Sequence, residues 1–218
     1  MAVGSPSSRS FDAMARTIVV DYGMGNLHSV LGALCYLGTD AQVSGDPEVV
    51  AAADSILLPG VGSFRTAMVR LNETGLADAL REAVLVRQRK ILGICLGQQL
   101  MAARGEEDGG HEGLNFIGGS VTALPAAKGL KVPHIGFNTV SFNPSSRLAS
   151  GLGGEVDFYF VHSYRLELEA STGVVGSCIN GFDFVATYEH ENVFATQFHP
   201  EKSQTNGLKL LSNFLAWS

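Results

Sequence analysis

Apolar and polar positions follow different patterns in the two halves of the chain. In the first half, short uninterrupted runs of Val, Ile and Leu are typical of strands buried on both faces. Stretches with helical apolar spacing lie between them, as in Leu27–Leu37, where Gly38 supplies a stop signal. Strands that alternate with helices predict a parallel sheet covered on both faces. The predicted strands are Thr17–Asp21, Ala41–Ser44, Ser55–Leu58 and Ile91–Ile94, and the later helices are Leu76–Gln88 and Leu96–Ala103.

The second half contains short strand-like runs separated by Gly, Asn and Ser. This pattern predicts antiparallel strands that extend the parallel sheet or pack beside it. A closing amphipathic helix is predicted over Asn206–Trp217. The predicted strands are Gly118–Leu124, Thr139–Asn143, Asp157–Val161, Val174–Ile179, Phe184–Glu189 and Val193–Gln197.

The chain is predicted to form one α/β domain over residues 17–218. No internal repeat or linker divides this stretch, and its length suits a single sizeable domain. Residues 1–16 are Ser-rich and lack the apolar centre of a secretory signal. We interpret them as a leader, disordered or introduced by cloning, and a transit peptide stays open as an alternative.

Composition and charge exclude several classes of function. The net charge of −6, without a basic run, argues against binding to nucleic acid or to anionic membranes. No window approaches the length of apolar sequence that a spanning helix needs. The three cysteines have neither paired nor metal-ligand spacing, so we expect a reducing cytoplasm and no metal site.

Cys95 lies where a nucleophile is expected in an α/β fold. It stands between a predicted strand and a predicted helix, in the sequence Gly-Ile-Cys-Leu-Gly, which matches a nucleophile elbow with Cys in place of Ser. Side chains at the flanking glycines would collide with the strand and helix. The helix N-terminus favours the thiolate. The alternative is a buried cysteine in a glycine-rich turn, and core packing is the interpretation for Cys35 and Cys178.

His199 is the candidate base. It follows a predicted strand, and Pro200 favours an extended conformation for it. In an extended chain, residues two apart point to the same side, so Glu201 is placed to orient the imidazole. The other histidines are less informative: His28, His111 and His190 lie in polar contexts, whereas His134 and His162 lie in apolar ones.

At these residues the sequence resembles the class I (triad) glutamine amidotransferases. The segments GICLGQQL around Cys95 and QFHPEKS around His199 carry the resemblance, which runs from about Thr17 to Trp217. It implies a flavodoxin-like three-layer α/β sandwich with a mixed, mainly parallel central sheet. It also implies glutamine hydrolysis by a Cys95–His199–Glu201 triad through a thioester, with no cofactor.

Four further segments narrow the resemblance to glutaminase subunits that form heterodimers with a (β/α)8 cyclase in histidine biosynthesis. They are DYGMGNLHSV, LPGVGSF, VPHIG and FVHSY. By this resemblance, backbone N–H groups of Gly60, Val61, Gly62 and Leu96 bind the oxyanion. The residues that contact glutamine are Gln99, Ser163 and Tyr164. The residues that face the partner are Asn26, which also reads as the N-cap of the first helix, Phe137 and Lys202.

One departure leaves the partner open. Phe137 stands where the subgroup usually has Trp, so the ammonia acceptor could instead be another synthase, such as one of an aminated-sugar pathway. A cysteine hydrolase that acts without a synthase is a second alternative, against which Gln99 and the PGVG segment count. A non-catalytic binding protein of the same fold is a third, which intact Cys95, His199 and Glu201 disfavour.

Overall fold

The computed structural model describes residues 16–126, 131–170 and 172–217. Of the predicted leader, only Arg16 is among them, and the rest lies outside the described residues. The helices are α1 (Leu27–Tyr36), α2 (Pro47–Ala51), α3 (Phe64–Glu73), α4 (Leu76–Arg81), α5 (Leu96–Leu100) and α6 (Gln204–Ala216). None of the helices in this part of the chain is long and apolar enough to cross a membrane.

The strands occupy both halves of the chain. Up to residue 123 the chain supplies β1 (Thr17–Val20), β2 (Ala41–Ser44), β3 (Ser55–Gly60), β4 (Lys90–Cys95), β5 (Ala102–Gly105), β6 (His111–Glu112) and β7 (Ile117–Ala123). The second half supplies β8 (His134–Ser141), β9 (Glu155–His162), β10 (Tyr164–Leu168), β11 (Val174–Ile179), β12 (Asp183–His190) and β13 (Val193–Thr196).

The main sheet joins the two predicted patterns. Its order is β2-β1-β3-β4-β13-β12-β11-β8-β9. The strands from β2 to β13 pair in parallel, and those from β13 to β9 pair antiparallel. A smaller sheet, in the order β10-β7-β5-β6, packs beside it. The second-half strands therefore do both things that the sequence allowed: they extend the parallel sheet and form a separate one.

Successive side chains of the central strands point into two different cores. Ile18 and Val20 belong to the core that also contains residues of α3, α4 and the smaller sheet. Val19 belongs to the core formed with α1 and α6. Because both faces are covered, the central strands are apolar throughout, which confirms the three-layer sandwich with a mixed sheet.

Several boundaries and one burial prediction were wrong. The helix predicted over Leu96–Ala103 ends at Leu100, because the following residues pair with β7 as a strand. The helix predicted over Leu76–Gln88 changes to a π-helical turn at Glu82–Val86. Cys35 is exposed rather than buried, because α1 turns Val30, Ala33 and Leu34 toward the core instead.

Candidate active site

Four neighbouring parallel strands bring the candidate residues to one edge of the sheet. In the order β1-β3-β4-β13, each strand ends at a different part of the site. Tyr22 follows β1, Gly60 ends β3, Cys95 ends β4, and His199 lies three residues beyond β13. The carboxyl ends of parallel strands are where open α/β folds bind ligands. The topology thus assembles residues that are far apart in sequence.

Cys95 occupies a strained turn between β4 and α5. Its φ of 54° and ψ of −108° are rare for a residue with a side chain. A Cβ at Gly97 would overlap the carbonyl oxygen of Leu58, and one at Gly93 would lie 2.8 Å from the backbone nitrogen of Gln98. The glycines are therefore required by close packing, as the sequence predicted for an elbow. The turn leaves the first N–H groups of α5, including that of Leu96, without partners inside the helix.

His199 and Glu201 form a buried pair. The Nδ1 of His199 lies 2.7 Å from Oε1 of Glu201, and their side chains are only 3% and 2% exposed. His199 has the extended φ and ψ of −98° and 97° that Pro200 favours. Ser203 fixes the backbone here, since its hydroxyl donates to the carbonyl of His199 over 2.6 Å and accepts from the backbone N–H of Tyr159.

The electrostatics of the pair favour a protonated imidazole. Burial by itself lowers the pKa of His199, but Cys95 and Glu201 together outweigh it and raise that pKa to about 9. The Nε2 atom of His199 has no hydrogen-bond partner among the described residues. With Nδ1 turned to Glu201, Nε2 is the nitrogen available for proton transfer at the sulfur.

The Cys95 sulfur lies between two groups that the sequence analysis did not single out. Its Sγ is 3.8 Å from the carbonyl oxygen of Val161 and 3.8 Å from Nε2 of Gln197. Gln197 is fully buried, and its Oε1 accepts from Nε2 of Gln99 over 3.0 Å. The amide of Gln197 therefore presents a donor, not an acceptor, to the sulfur.

The segment Gly60–Gly62 passes directly beside the elbow. Gly60 pairs with Cys95 in the register of β3 and β4. The buried hydroxyl of Tyr22 donates to the carbonyl of Pro59 over 3.0 Å and occupies the space that a Cβ at Gly60 would need. Gly62 has a φ of 104°, and Val61 between the glycines is 41% exposed. The hydrogen bond from Tyr22 therefore fixes the segment at Pro59, whereas Val61 remains accessible to solvent.

A cavity of about 410 Å³ opens over the elbow. Among the described residues that line it, Glu107 carries the only carboxylate. This residue was missed by the sequence analysis. Its Oε2 accepts from the N–H of Phe64 over 2.6 Å, which fixes the side chain at the N-terminus of α3. The predicted residues that line the cavity are Val61, Gly62, Cys95, Leu96, Gln99, Ser163 and Tyr164.

The predicted partner-facing residues lie outside the cavity. Asn26 is the N-cap of α1, as predicted, and accepts from the N–H of Ser29. Phe137 is 53% exposed and packs edge-on against Tyr159, whose ring also lies 5.9 Å from Nζ of Lys202. Ile135 is exposed as well and pairs with Val161, which lines the cavity. An apolar surface thus leads from Phe137 to the cavity mouth.

Comparison with known proteins gives one family over almost the whole chain. Residues 18–217 match the model "Glutamine amidotransferase class-I". Imidazole glycerol phosphate synthase subunit HisH from Acinetobacter baylyi is 42% identical, over 94% of this chain and all of that protein. The subunit of the same name from Aquifex aeolicus is 47% identical, over 91% of this chain and 95% of that protein.

Solved structures agree on the fold. A putative GMP synthase protein from Thermoplasma acidophilum superposes with a TM-score of 0.71 at 24% identity, covering 93% of this chain and 92% of its own. A structure described as a glutamine amidotransferase gives a TM-score of 0.72 at 21% identity, covering 91% and 96%. At this level of identity, the likeness concerns the fold alone.

Proposed function

The chain belongs to the class I glutamine amidotransferase family, and from this premise we propose that it is the glutaminase subunit of an imidazole glycerol phosphate synthase. The proposal rests on similarity of 42–47% identity, over at least 90% of the chain, to relatives that carry this name. We further propose that the protein works in the cytoplasm as a heterodimer with a (β/α)8 cyclase, and that its domain spans residues 17–218.

The first half of the proposed reaction forms a thioester. The thiolate of Cys95 attacks the side-chain amide carbon of glutamine, and the carbonyl electrons move onto oxygen. Backbone N–H groups of Leu96 and of the Gly60–Gly62 segment stabilise this oxyanion. His199, held by Glu201, gives its Nε2 proton to the amide nitrogen, so ammonia leaves as the tetrahedral intermediate collapses.

The second half hydrolyses the thioester. The now neutral His199 removes a proton from water, and the resulting hydroxide attacks the thioester carbon. The C–S bond breaks, glutamate leaves, and the Cys95 thiolate and protonated His199 are restored. Water and glutamine are consumed, ammonia and glutamate are formed, and the new γ-carboxyl group loses its proton to solvent, so the enzyme neither gains nor loses a proton overall. Raising the pKa of His199 to about 9 keeps the ring protonated at neutral pH, as its role as acid requires.

Recognition of glutamine needs groups for both of its charged ends. Glu107 is placed at the cavity wall to pair with the α-ammonium group. The amide of Gln99 donates both of its N–H bonds inside the protein, to Tyr164 and Gln197, so its oxygen is left as an acceptor toward the cavity. Ser163 and Tyr164 supply the adjacent wall, where backbone groups can bind the α-carboxylate.

The chemistry of ammonia gives a reason for a partner to bind at the exposed surface beside the cavity. Ammonia released into water at neutral pH is largely protonated and loses its nucleophilicity. The surface that contains Ile135, Phe137, Tyr159 and Lys202 is here called the docking face, and it adjoins Val161 at the cavity mouth. A cyclase bound there would receive ammonia before it reaches bulk water.

The proposed function is tested by reconstitution with the cyclase encoded in the same genome, with glutamine as the only nitrogen source. We expect formation of imidazole glycerol phosphate and glutamate. The Cys95→Ser variant should lose glutamine-dependent synthesis by several orders of magnitude and leave ammonium-dependent synthesis intact. A reconstituted pair that uses ammonium salts but not glutamine would contradict the assignment and point to another acceptor, with an aminated-sugar synthase as the next candidate.

A further inference from the structure

Two buried histidines beside the cavity have no part in the reaction described above. His134 on β8 and His162 at the end of β9 are 7% and 6% exposed. The Nδ1 of His134 lies 3.0 Å from Nε2 of His162. Both rings pack against Phe160 and Phe184. Two imidazoles in direct contact inside an apolar cluster require a defined arrangement of protons.

The neighbours of the pair determine which nitrogen carries each proton. The Nδ1 of His162 lies 2.8 Å from the carbonyl oxygen of Tyr164, which only accepts, so this Nδ1 is the donor. Its Nε2 is then an acceptor, and Nδ1 of His134 donates to it. The Nε2 of His134 accepts in turn from Nδ2 of Asn138 over 3.3 Å. All four ring nitrogens are satisfied when both rings are neutral.

The surroundings agree with neutral rings. The pKa of His162 is lowered to about 4, with burial as the largest cause. The hydrogen bond to Tyr164 opposes this shift, and the nearby rings of His134 and His199 add to it. Burial also lowers the pKa of His134. A proton added to either ring would place two N–H groups against each other.

The pair leads to the groups that surround the nucleophile. The carbonyl oxygen of Tyr164 accepts a second hydrogen bond, from Nε2 of Gln99 over 3.1 Å. The other N–H of this amide donates to Oε1 of Gln197 over 3.0 Å. The amide nitrogen of Gln197 therefore faces Sγ of Cys95, at 3.8 Å.

We propose that His162 is a positioning residue for the nucleophile: its Nδ1–H holds the Tyr164 carbonyl as the acceptor that orients Gln99, and through Gln99 and Gln197 it keeps an amide donor against the Cys95 sulfur. His134 and Asn138 hold His162 in turn. Asn138 follows Phe137, so this hydrogen-bonded series begins on the strand that carries the docking face. The expected effect on glutamine hydrolysis rests on the proposed function, whereas the hydrogen bonds from His162 to the Cys95 sulfur do not depend on it.

The test compares two substitutions at His162 that differ in one donor. His162→Asn keeps an amide donor at the position of Nδ1, so it can still reach the Tyr164 carbonyl, whereas His162→Leu removes the donor. The matched control is His190→Leu, because His190 is exposed at the end of β12. Thermal unfolding of every variant establishes how much of each effect is structural.

Two readouts are measured. The first is alkylation of Cys95 by iodoacetamide in the chain without glutamine, followed by peptide mass spectrometry, with exposed Cys35 as the reference in the same sample. The second is kcat and KM for glutamine with saturating cyclase. We expect His162→Leu to lower the relative alkylation of Cys95 by about tenfold, since a thiolate loses a donor. We expect it to lower kcat by about tenfold to a hundredfold, as small misplacements of reacting groups do.

His162→Asn should restore both quantities to within about threefold of the unchanged chain, at the same thermal stability as the Leu variant. Equal loss in the two variants, or a fall in kcat with unchanged alkylation of Cys95, would overturn the proposal. If the His162→Leu variant does not fold, His134→Leu and His134→Asn are compared instead, since Nδ1 of His134 donates the hydrogen bond that holds His162. A chain that never hydrolyses glutamine would contradict the proposed function, while the alkylation rates would still decide the role of His162.

Discussion

At the scale of single residues, Glu107 carries a prediction about substrate binding, although it lies outside the sequence motifs that identified the site. Its carboxylate accepts a hydrogen bond from the N–H of Phe64, and the residue lines the same cavity as Cys95. We expect Glu107→Gln to raise KM for glutamine by about tenfold or more with a smaller change in kcat, because it removes one charge from an ion pair with the substrate. The amide oxygen of the variant can still accept from Phe64, so the fold should be kept.

Two controls make this prediction specific. Glu106→Gln changes the adjacent, exposed carboxylate and should leave KM unchanged. Glutaric acid monoamide, which lacks the α-amino group, should be hydrolysed equally by the unchanged chain and by Glu107→Gln. A similar rise in KM for this substrate would mean that the carboxylate does not bind the α-ammonium group.

His199 gives a prediction about pH. Its pKa is raised from the ordinary 6.5 to about 9 despite burial, through Cys95 and Glu201. Since the folded-state pKa is the higher one, the protonated ring stabilises the fold fully below pH 6.5, and this contribution is lost as the pH rises through 9. Cys95→Ala removes one of the groups that raise the pKa, so the ring should titrate at lower pH.

NMR titration of the His199 ring measures this directly. At neutral pH the Cys95→Ala variant should unfold more easily than the unchanged chain, because the protonated ring loses one stabilising neighbour. This difference in stability should disappear at pH values well above 9, where the ring is neutral in both proteins. Cys178→Ala is a suitable control, because the groups that raise the pKa of His199 are Cys95 and Glu201, whereas Cys178 is a buried thiol whose own pKa burial raises to about 12. An unchanged titration of His199 in Cys95→Ala would show that sulfur and imidazole are not coupled.

At the scale of elements, the sequence predicted what depends on local pattern. The strands Ala41–Ser44 and Val174–Ile179 have the predicted bounds, because turn residues lie at both ends of each run. Helix α3 was overlooked although its signal is present: Phe64, Ala67, Met68 and Leu71 are buried at helical spacing.

What the sequence did not predict depends on pairing across long separations. The strand β5 follows directly after a helix, and only its pairing with β6 and β7 makes it extended. Gln197 and Glu107 likewise acquire their roles from contacts 102 and 43 positions away, with Cys95 and Phe64. Cys95 and His199 were recognisable because an elbow and a proline-fixed strand end are local features.

The Gly60–Gly62 segment carries the prediction that belongs to this scale. Its flanking glycines permit the peptide at Val61 to turn, so one oxyanion donor can be brought into place when a partner binds. We expect the isolated chain to be a slow glutaminase and to be strongly stimulated by a cyclase loaded with its acceptor. Gly62→Ala should lower the stimulated rate by about a hundredfold, since alanine disfavours the φ of 104° and its Cβ would lie 2.9 Å from Met24.

The matched control is Gly118→Ala, where φ is ordinary and a Cβ would meet no atom within 4 Å. This variant should keep both the basal and the stimulated rate. The ratio of kcat with and without partner is the quantity to compare. A chain that hydrolyses glutamine at full speed alone would contradict the idea that the partner completes the oxyanion site.

At the scale of the whole molecule, the proposed catalytic residues and the proposed docking face lie on different halves of the main sheet. The parallel half of the sheet supplies Cys95 and His199 at its carboxyl edge, whereas the antiparallel half supplies β8 and β9, which carry Phe137 and Tyr159. Within the antiparallel half, Val161 of β9 brings its carbonyl oxygen to 3.8 Å from the Cys95 sulfur. Val161 therefore links the two regions, because it pairs with Ile135 of the proposed docking face and contacts the nucleophile.

This separation predicts that docking can be weakened while the chemistry is kept. Phe137→Ala should weaken the complex with the cyclase by about 1–3 kcal/mol in titration calorimetry, the loss typical of an aromatic side chain at the centre of an interface. Val86→Ala removes a comparably exposed apolar group on the helical turn after α4, away from β8, and should leave affinity unchanged. Phe137 lies outside the cavity, so the glutaminase rate at saturating cyclase should largely recover in the first variant. A rate that stays low at saturation would place Phe137 in the coupling between the two active sites rather than in docking alone, and an unchanged affinity would move the interface away from β8.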